Sequence, residues 1–159
     1  MSRKKPGGAA IATNRRARYD YVFEDEYEAG IVLTGSEVKS LRGGQAQIKE
    51  AYGLLRDGEI WLVGMHIAPY SMARDGGHEP TRERKLLLHA YEIARISKRV
   101  KERGHTLVPI RMYWKNGRAK VLLGVGRGAR KYDKRQAIKA REMRREAQQS
   151  MSHRRSDRF

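Results

Sequence analysis

Residues 111–125 read Arg-Met-Tyr-Trp-Lys-Asn-Gly-Arg-Ala-Lys-Val-Leu-Leu-Gly-Val. Two runs rich in aromatic and branched side chains flank Asn116-Gly117. Asn-Gly is the pair that most readily takes the two left-handed backbone positions of a hairpin turn. The stretch therefore predicts two antiparallel strands, 111–114 and 118–125. Upstream, apolar-rich runs at 51–56 and 59–67 flank Asp57-Gly58, the other strong hairpin signal. Two hairpins in one short chain predict a mainly β fold, and the remaining segments have to fit around them.

Further upstream, Tyr19, Tyr21 and Phe23 keep a period of two, and Tyr27, Ile31 and Leu33 follow, which reads as two strands. Thr34-Gly35-Ser36-Glu37 places a Thr three residues before a Glu, the pattern in which each side chain caps the other's backbone at a helix start. A short helix to about Arg42 follows, closed by Gly43-Gly44. Between the hairpins lies a polar loop, 71–81, and then the period changes: Leu86, Leu87 and Leu88 followed by Ile93, Ile96 and Val100 predict a helix ended by Gly104. The fold class expected is mainly β with helices, an OB-like antiparallel β-barrel with about three helices packed on it.

The chain has 159 residues, with 35 Lys+Arg against 18 Asp+Glu and a net charge of +17. Residues 1–18 hold six basic and no acidic side chains, and 127–159 hold twelve basic and four acidic, leaving only +3 for 19–126. Charge concentrated this way is the footprint of a polyanionic partner, and basic side chains interleaved with groups able to stack or hydrogen-bond point to RNA. We expect a basic arm over 1–10, disordered until bound, a barrel over 11–126, and a basic tail over 127–159. In the tail, Asp133 with Gln136 is a candidate helix start, but Ile138, Met143, Ala147 and Met151 make a thin apolar face. The tail is expected to be disordered when free and helical against phosphate. Gly124, Gly126 and Gly128 read as a hinge between barrel and tail.

Other chemistry finds little support. There is no cysteine, and His66, His78, His89, His105 and His153 are scattered without metal-ligand spacing, so neither a metal nor a cofactor is implied. Glu24, Asp25, Glu26 and Glu28 read as a turn carrying solvated charge, with Glu28 left open because it precedes Ala29-Gly30. No apolar run is long enough to span a membrane. A soluble cytoplasmic monomer is expected, and no enzyme. Two rivals remain: a ribosomal or assembly protein with basic ends threaded into rRNA, and a ribonuclease using the carboxylates between Glu24 and Glu28.

Five motifs then occur in order: Ile11-Ala12-Thr13-Asn14-Arg15-Arg16-Ala17, Tyr27-Glu28-Ala29-Gly30-Ile31, Gly35-Ser36-Glu37-Val38-Lys39-Ser40-Leu41-Arg42, Arg84-Lys85-Leu86-Leu87-Leu88 and Tyr132-Asp133-Lys134-Arg135. With them the chain resembles, over nearly its whole length, the SsrA-binding proteins (small protein B) of trans-translation. The resemblance implies an OB-like body that binds the tRNA-like domain of tmRNA and brings it to the A site of a 70S ribosome stalled without a stop codon. It also implies a tail that enters the vacant mRNA channel as a helix along small-subunit rRNA, so that the nascent protein is tagged. By matching motif, Glu28, Leu87 and Lys120 fall at positions tied to tmRNA binding, with Asn14, Arg15, Arg16, Lys39, Arg42, Arg84 and Lys85 in motifs near that surface. Arg130, Lys131, Tyr132, Asp133, Lys134 and Arg135 match the tail segment near the decoding centre, and Arg127, Lys139 and Arg141 extend its charge. The family's usual Gly-Lys-Lys start reads Gly128-Ala129-Arg130 here, one charge fewer.

Overall fold

A computed structural model describes residues 9–70, 72 and 77–156, without the side chains of 130–135 and 151–156. Most of the expected arm over 1–10 therefore lies outside the described residues, and from Ala10 the chain is already a strand. The hairpin read first is the spine of the fold: β8 (Thr106–Lys115) and β9 (Arg118–Gly128) pair along their length. Asn116 and Gly117 take φ of 52° and 73°, the paired left-handed positions whose twist suits a tight hairpin. The other edge of β9 pairs with β2 (Tyr21–Ile31), from Tyr21↔Gly128 to Gly30↔Lys120.

Where two strands were expected upstream, there is one long strand preceded by a helical turn, α1 (Ala17–Asp20). The Arg16 carbonyl accepts from the N–H groups of Tyr19 and Asp20, which winds the backbone and leaves Tyr19 76% exposed. Glu24, Asp25, Glu26 and Glu28 accordingly lie on a strand and not in a turn. A bulge between Phe23 and Asp25 makes room for Glu24. The partner β8 carries its own bulge after Pro109, a residue with no N–H to give to a ladder.

The barrel closes through the second hairpin. Strands β4 (Tyr52–Arg56) and β5 (Glu59–Val63) turn at Asp57 and Gly58, with φ of 50° and 74°. Between them and α1 in the chain come α2 (Gly35–Arg42) and β3 (Ala46–Gln47), which forms a two-strand ladder with β6 (His66–Ile67). β7 (Arg84–Leu87) joins β5 to β2, and β4 meets β8 at Gly53↔Leu107. Six strands thus form a closed ring, β8-β4-β5-β7-β2-β9, and β1 (Ala10–Thr13) shares the outer edge of β8 with β4. The closure point tolerates no side chain: a Cβ on Gly53 would lie 2.6 Å from Leu107 Cβ.

The helix expected over 82–104 begins later than the leucines suggest. Leu86 and Leu87 belong to β7, with Leu86 buried in the core and Leu87 outside, and α3 runs Ala90–Arg103. Three consecutive leucines hide a period of two. Ile93, Ile96 and Val100 do face the core, and Gly104 at φ 64° ends the helix as expected. Gly124 and Gly126 are no hinge. They sit inside β9, where a Cβ on Gly124 would come 2.5 Å from the Phe23 ring and one on Gly126 would collide with the Val22 carbonyl. α4 (Ala129–Ser156) follows β9 directly, so Asp133 lies within the helix and not at its N-cap.

The capping box at Thr34 and Glu37 forms, with Glu37 Oε1 accepting from the Thr34 N–H at 2.9 Å. The same carboxylate then does a second task. It accepts from Arg82 at 2.5 Å and from the Arg84 guanidinium, and both Glu37 and Arg84 are fully buried. Arg84 also donates to the carbonyls of Met65 at 2.9 Å and Pro80 at 3.1 Å. This knot ties α2, β7 and the chain around β6 together. Burial opposes the charge of Glu37, but the bonds from Arg82, the Thr34 N–H and Arg84 outweigh it and hold its pKa at about 2, against an ordinary 4.5.

Because that pKa is depressed in the folded state, the stability it contributes is complete above pH 4.5 and is lost as pH falls toward 2. Acid titration of thermal unfolding should show a loss on the order of 3 kcal/mol across that window, and Glu37→Gln should remove this pH dependence while lowering neutral-pH stability by about 3–5 kcal/mol. Gly53→Ala, measured by denaturant unfolding, should cost roughly 1–3 kcal/mol through overpacking against Leu107.

Candidate nucleic-acid interface

Alternation along the paired strands decides which side chains leave the core. Val121, Ala29 and Leu86 point inwards, so Lys120, Gly30 and Leu87 face out, and the registers Gly30↔Lys120 and Gly30↔Leu87 set them side by side across three strands. Gly30 has no side chain to separate its neighbours. A Cβ there would stand 3.3 Å from Leu87 Cβ and 3.6 Å from Lys120 Nζ. The result is an exposed apolar group, Leu87 at 52%, beside a cation on the outer face of the sheet. On β7 Lys85 faces Trp61 across the ladder and pairs with Glu59 at 3.1 Å, while the Arg56 guanidinium sits 5.6 Å from the Trp61 ring centre.

Glu28 is two residues from Gly30 on the same side. Its carboxylate accepts from the Tyr113 hydroxyl at 2.6 Å and from Lys115 Nζ at 3.0 Å. The Tyr113 hydrogen bond and the Lys115 ammonium keep Glu28 ionised by lowering its pKa, while burial and then the Glu28 charge raise that of Tyr113. A bare carboxylate would repel phosphate. Here it is neutralised, and it fixes Lys115 beside the Lys120 row. Arg111 lies over the Tyr113 ring at 5.1 Å. Arg111, Lys115 and Tyr113 are site residues the motif reading missed, although the Asn116-Gly117 register alone places Lys115 opposite Arg118 and Tyr113 opposite Lys120.

The Asn14-Arg15-Arg16 motif borders the same face. Asn14 is buried, its N–H donating to the Ile110 carbonyl at 2.9 Å and its carbonyl accepting from Ala17, which shapes the turn into α1. Arg15 and Arg16 stay exposed, Arg16 stacking over Tyr19 at 5.3 Å. Beside them a cleft of about 500 Å³ has Ile110 and Leu122 as its floor and Arg15, Arg18 and Arg111 at its rim. An apolar floor with a guanidinium rim suits an unpaired base and its phosphates.

Other expected site residues lie elsewhere. Lys39 and Arg42 are exposed on α2, with Lys39 Nζ 5.4 Å from the Tyr70 ring. Arg84 is a correction: it is fully buried and held by Glu37, so it shapes the frame and has no surface to offer RNA. Arg127 is half-buried near the end of β9, and Lys139 and Arg141 are exposed on α4. The side chains of Arg130, Lys131, Tyr132, Asp133, Lys134 and Arg135 lie outside the described residues. Among the described residues no three His, Asp or Glu side chains gather as a metal site. No described helix is long and apolar enough to cross a membrane.

Comparison with known proteins agrees along almost the whole chain. The family model described as SmpB protein matches residues 11–153. An SsrA-binding protein of Leifsonia xyli subsp. xyli is 51% identical over 95% of this chain and 96% of its own length. One from Thermobifida fusca is 49% identical over 98% of this chain and all of its own. A solved structure described as "tmRNA-SmpB: a journey to the center of the bacterial ribosome" is 47% identical, with a TM-score of 0.61 over 73% of this chain and 82% of that one. The closed barrel, the neutralised Glu28 beside Lys120 and these likenesses lead to one conclusion: the chain belongs to the SmpB family.

Proposed function

We propose that this chain is an RNA-binding protein of trans-translation, not an enzyme, that binds the tRNA-like domain of tmRNA and delivers it to the A site of ribosomes stalled without a stop codon. The observation that carries the reading is the Leu87–Gly30–Lys120 row with Glu28 locked at its side, an exposed apolar and cationic surface on a rigid barrel. The relatives' name, SsrA-binding protein, and the tmRNA and ribosome of the solved neighbour supply the partners. Lys120 and Lys115 meet phosphate, the cleft beside Arg15 takes an unpaired base, and Leu87 packs on the nucleotide between them.

The tail reads the ribosome. Residues 136–150 of α4 are exposed along their whole length, Ile138 and Met143 among them, so no face of that stretch is held by the barrel. Such a helix takes its stability from elsewhere. A sheath of rRNA phosphates in an empty mRNA channel supplies it, and an mRNA in the channel denies it. The expectation of a disordered tail differs from the structure, which has helix α4 with no ribosome present; without a packed face that helix is marginal in the free protein and is held firmly on a ribosome that needs rescue. The ribonuclease reading loses its motive, because Glu24, Glu26 and Glu28 are each paired with a cation: Arg99, Arg18 and Lys115.

Lys120→Ala should weaken tmRNA binding and lower the slope of log affinity against log salt by about one, whereas truncation after Gly128, where β9 ends, should leave tmRNA binding intact and abolish tagging. Loss of tmRNA affinity on truncation would overturn the division of labour. A peptide of residues 129–159 should show a coil spectrum by circular dichroism in buffer, and a helical one would contradict the sensing role given to the tail.

A further inference from the structure

Helix α3 and strand β2 do not close completely on one another. Tyr27 packs against the core, and Asp25, two residues earlier, lies on the same side of β2. Over them stand Arg95, Arg99 and Glu102, at the i, i+4, i+7 spacing of one helix flank. The cleft between the two elements measures about 380 Å³, a volume in the range of small-ligand sites, and Lys98 and Arg103 complete its lining. It shares no lining residue with the cleft beside Arg15.

The charges in this cleft do not balance. Arg99 is engaged, at 2.7 Å from Glu24 and 3.6 Å from Asp25, so it fixes the floor and occupies the Asp25 carboxylate. Among the described residues Arg95, Lys98 and Arg103 have no carboxylate partner, and all three are exposed. The Tyr27 hydroxyl has no hydrogen-bond partner among the described residues either. Burial and then the Asp25 charge raise its pKa, so it stays protonated and can donate. Three unpaired cations and a phenol donor converging on a concave space fit an anion. Arg95 and Arg103 are eight residues apart, about 12 Å along the helix axis, which fits a chain of phosphates better than a single one.

The two ends of the cleft differ. At one, the Arg95 guanidinium lies 5.7 Å from the ring centre of Tyr91, which is 61% exposed and carries the His89 ring stacked at 5.5 Å and 10°. That is a platform for a planar base. At the other, Glu102 has no ion pair among the described residues and lies one position from Arg103. A carboxylate beside phosphates is what magnesium takes as a ligand when it is carried on a nucleotide. We infer that the cleft between α3 and β2 is a nucleotide site, which binds a purine nucleoside polyphosphate as its magnesium complex, with the phosphates toward Lys98 and Arg103 and the base on Tyr91. A terminal polyphosphate concentrates several charges in one concave space, whereas a phosphodiester chain spreads a single charge over each nucleotide. The site stands apart from the Lys120 row and does not depend on what that row binds.

Isothermal titration of the full chain with ATP and magnesium tests the assignment. Saturable binding at one site is expected, weakened about tenfold or more by Lys98→Gln with Arg103→Gln. Both substitutions are on exposed side chains, so thermal unfolding of that variant should match the parent. Tyr91→Ala should weaken ATP roughly tenfold while leaving tripolyphosphate within about twofold, and Glu102→Gln should remove the gain in affinity that magnesium gives. Lys120→Ala should leave ATP binding unchanged, whatever it does to tmRNA. No binding at about 1 mM ATP, or full affinity in the Lys98 and Arg103 variant, would overturn the site. Displacement of ATP by saturating tmRNA would overturn it too, since the cleft would then belong to RNA. Full ATP affinity after Tyr91→Ala would overturn the nucleotide assignment and leave a polyphosphate cleft in its place.

Discussion

Strand β9 is hydrogen-bonded along both edges, to β8 on one side and β2 on the other. A strand held that way cannot twist a side chain sideways; each residue points into the core or out of it. Val121, Leu123 and Val125 take the first direction and close the apolar interior, which sends Lys120 and Leu122 to the other face, where Leu122 is buried in a second small cluster with Ala17, Val108, Ile110 and Tyr113. The core and the candidate RNA surface are two faces of one ladder. Shifting the register by one residue would bury Lys120 and expose Val121, so the fold and the site stand or fall together.

The parts legible in the sequence are those decided within a few residues. Asn116-Gly117, Asp57-Gly58 and the Thr34/Glu37 box each carry their physics locally, and each forms. What was missed depends on partners far along the chain. Leu86 and Leu87 look helical until Lys85 and Leu86 are seen to pair with Trp61 and Ile60. Gly124 and Gly126 look flexible until Val22 and Phe23 are laid against them. Arg84 looks like one more phosphate ligand, and only Glu37, 47 residues away, makes it a core residue. An arginine reads the same whether water or a buried carboxylate receives it. Glu28 is the converse case: its proximity to Gly30 flagged the position, but its work depends on a tyrosine 85 residues on.

The electrostatics follow from the same pairing. Glu24, Glu26 and Glu28 each meet a basic partner drawn from a different element: Arg99 of α3, Arg18 of α1 and Lys115 of β8. Such exposed or half-exposed pairs contribute modestly to stability. Their larger effect is on the field around the molecule, since they cancel charge where β2 runs and leave cations unbalanced elsewhere. The pattern presented to a polyanion is the remainder after that cancellation, which is why total charge alone does not locate it.

No residue separates the end of β9 at Gly128 from the start of α4 at Ala129. A random coil of the 28 residues of α4 would span on the order of 30 Å end to end, whereas the helix is a rod of about 42 Å. With no slack at the anchor, the direction in which that rod leaves the barrel is set by the last pairs of β9, Tyr21↔Gly128 and Val22↔Arg127, so seating the barrel aims the tail.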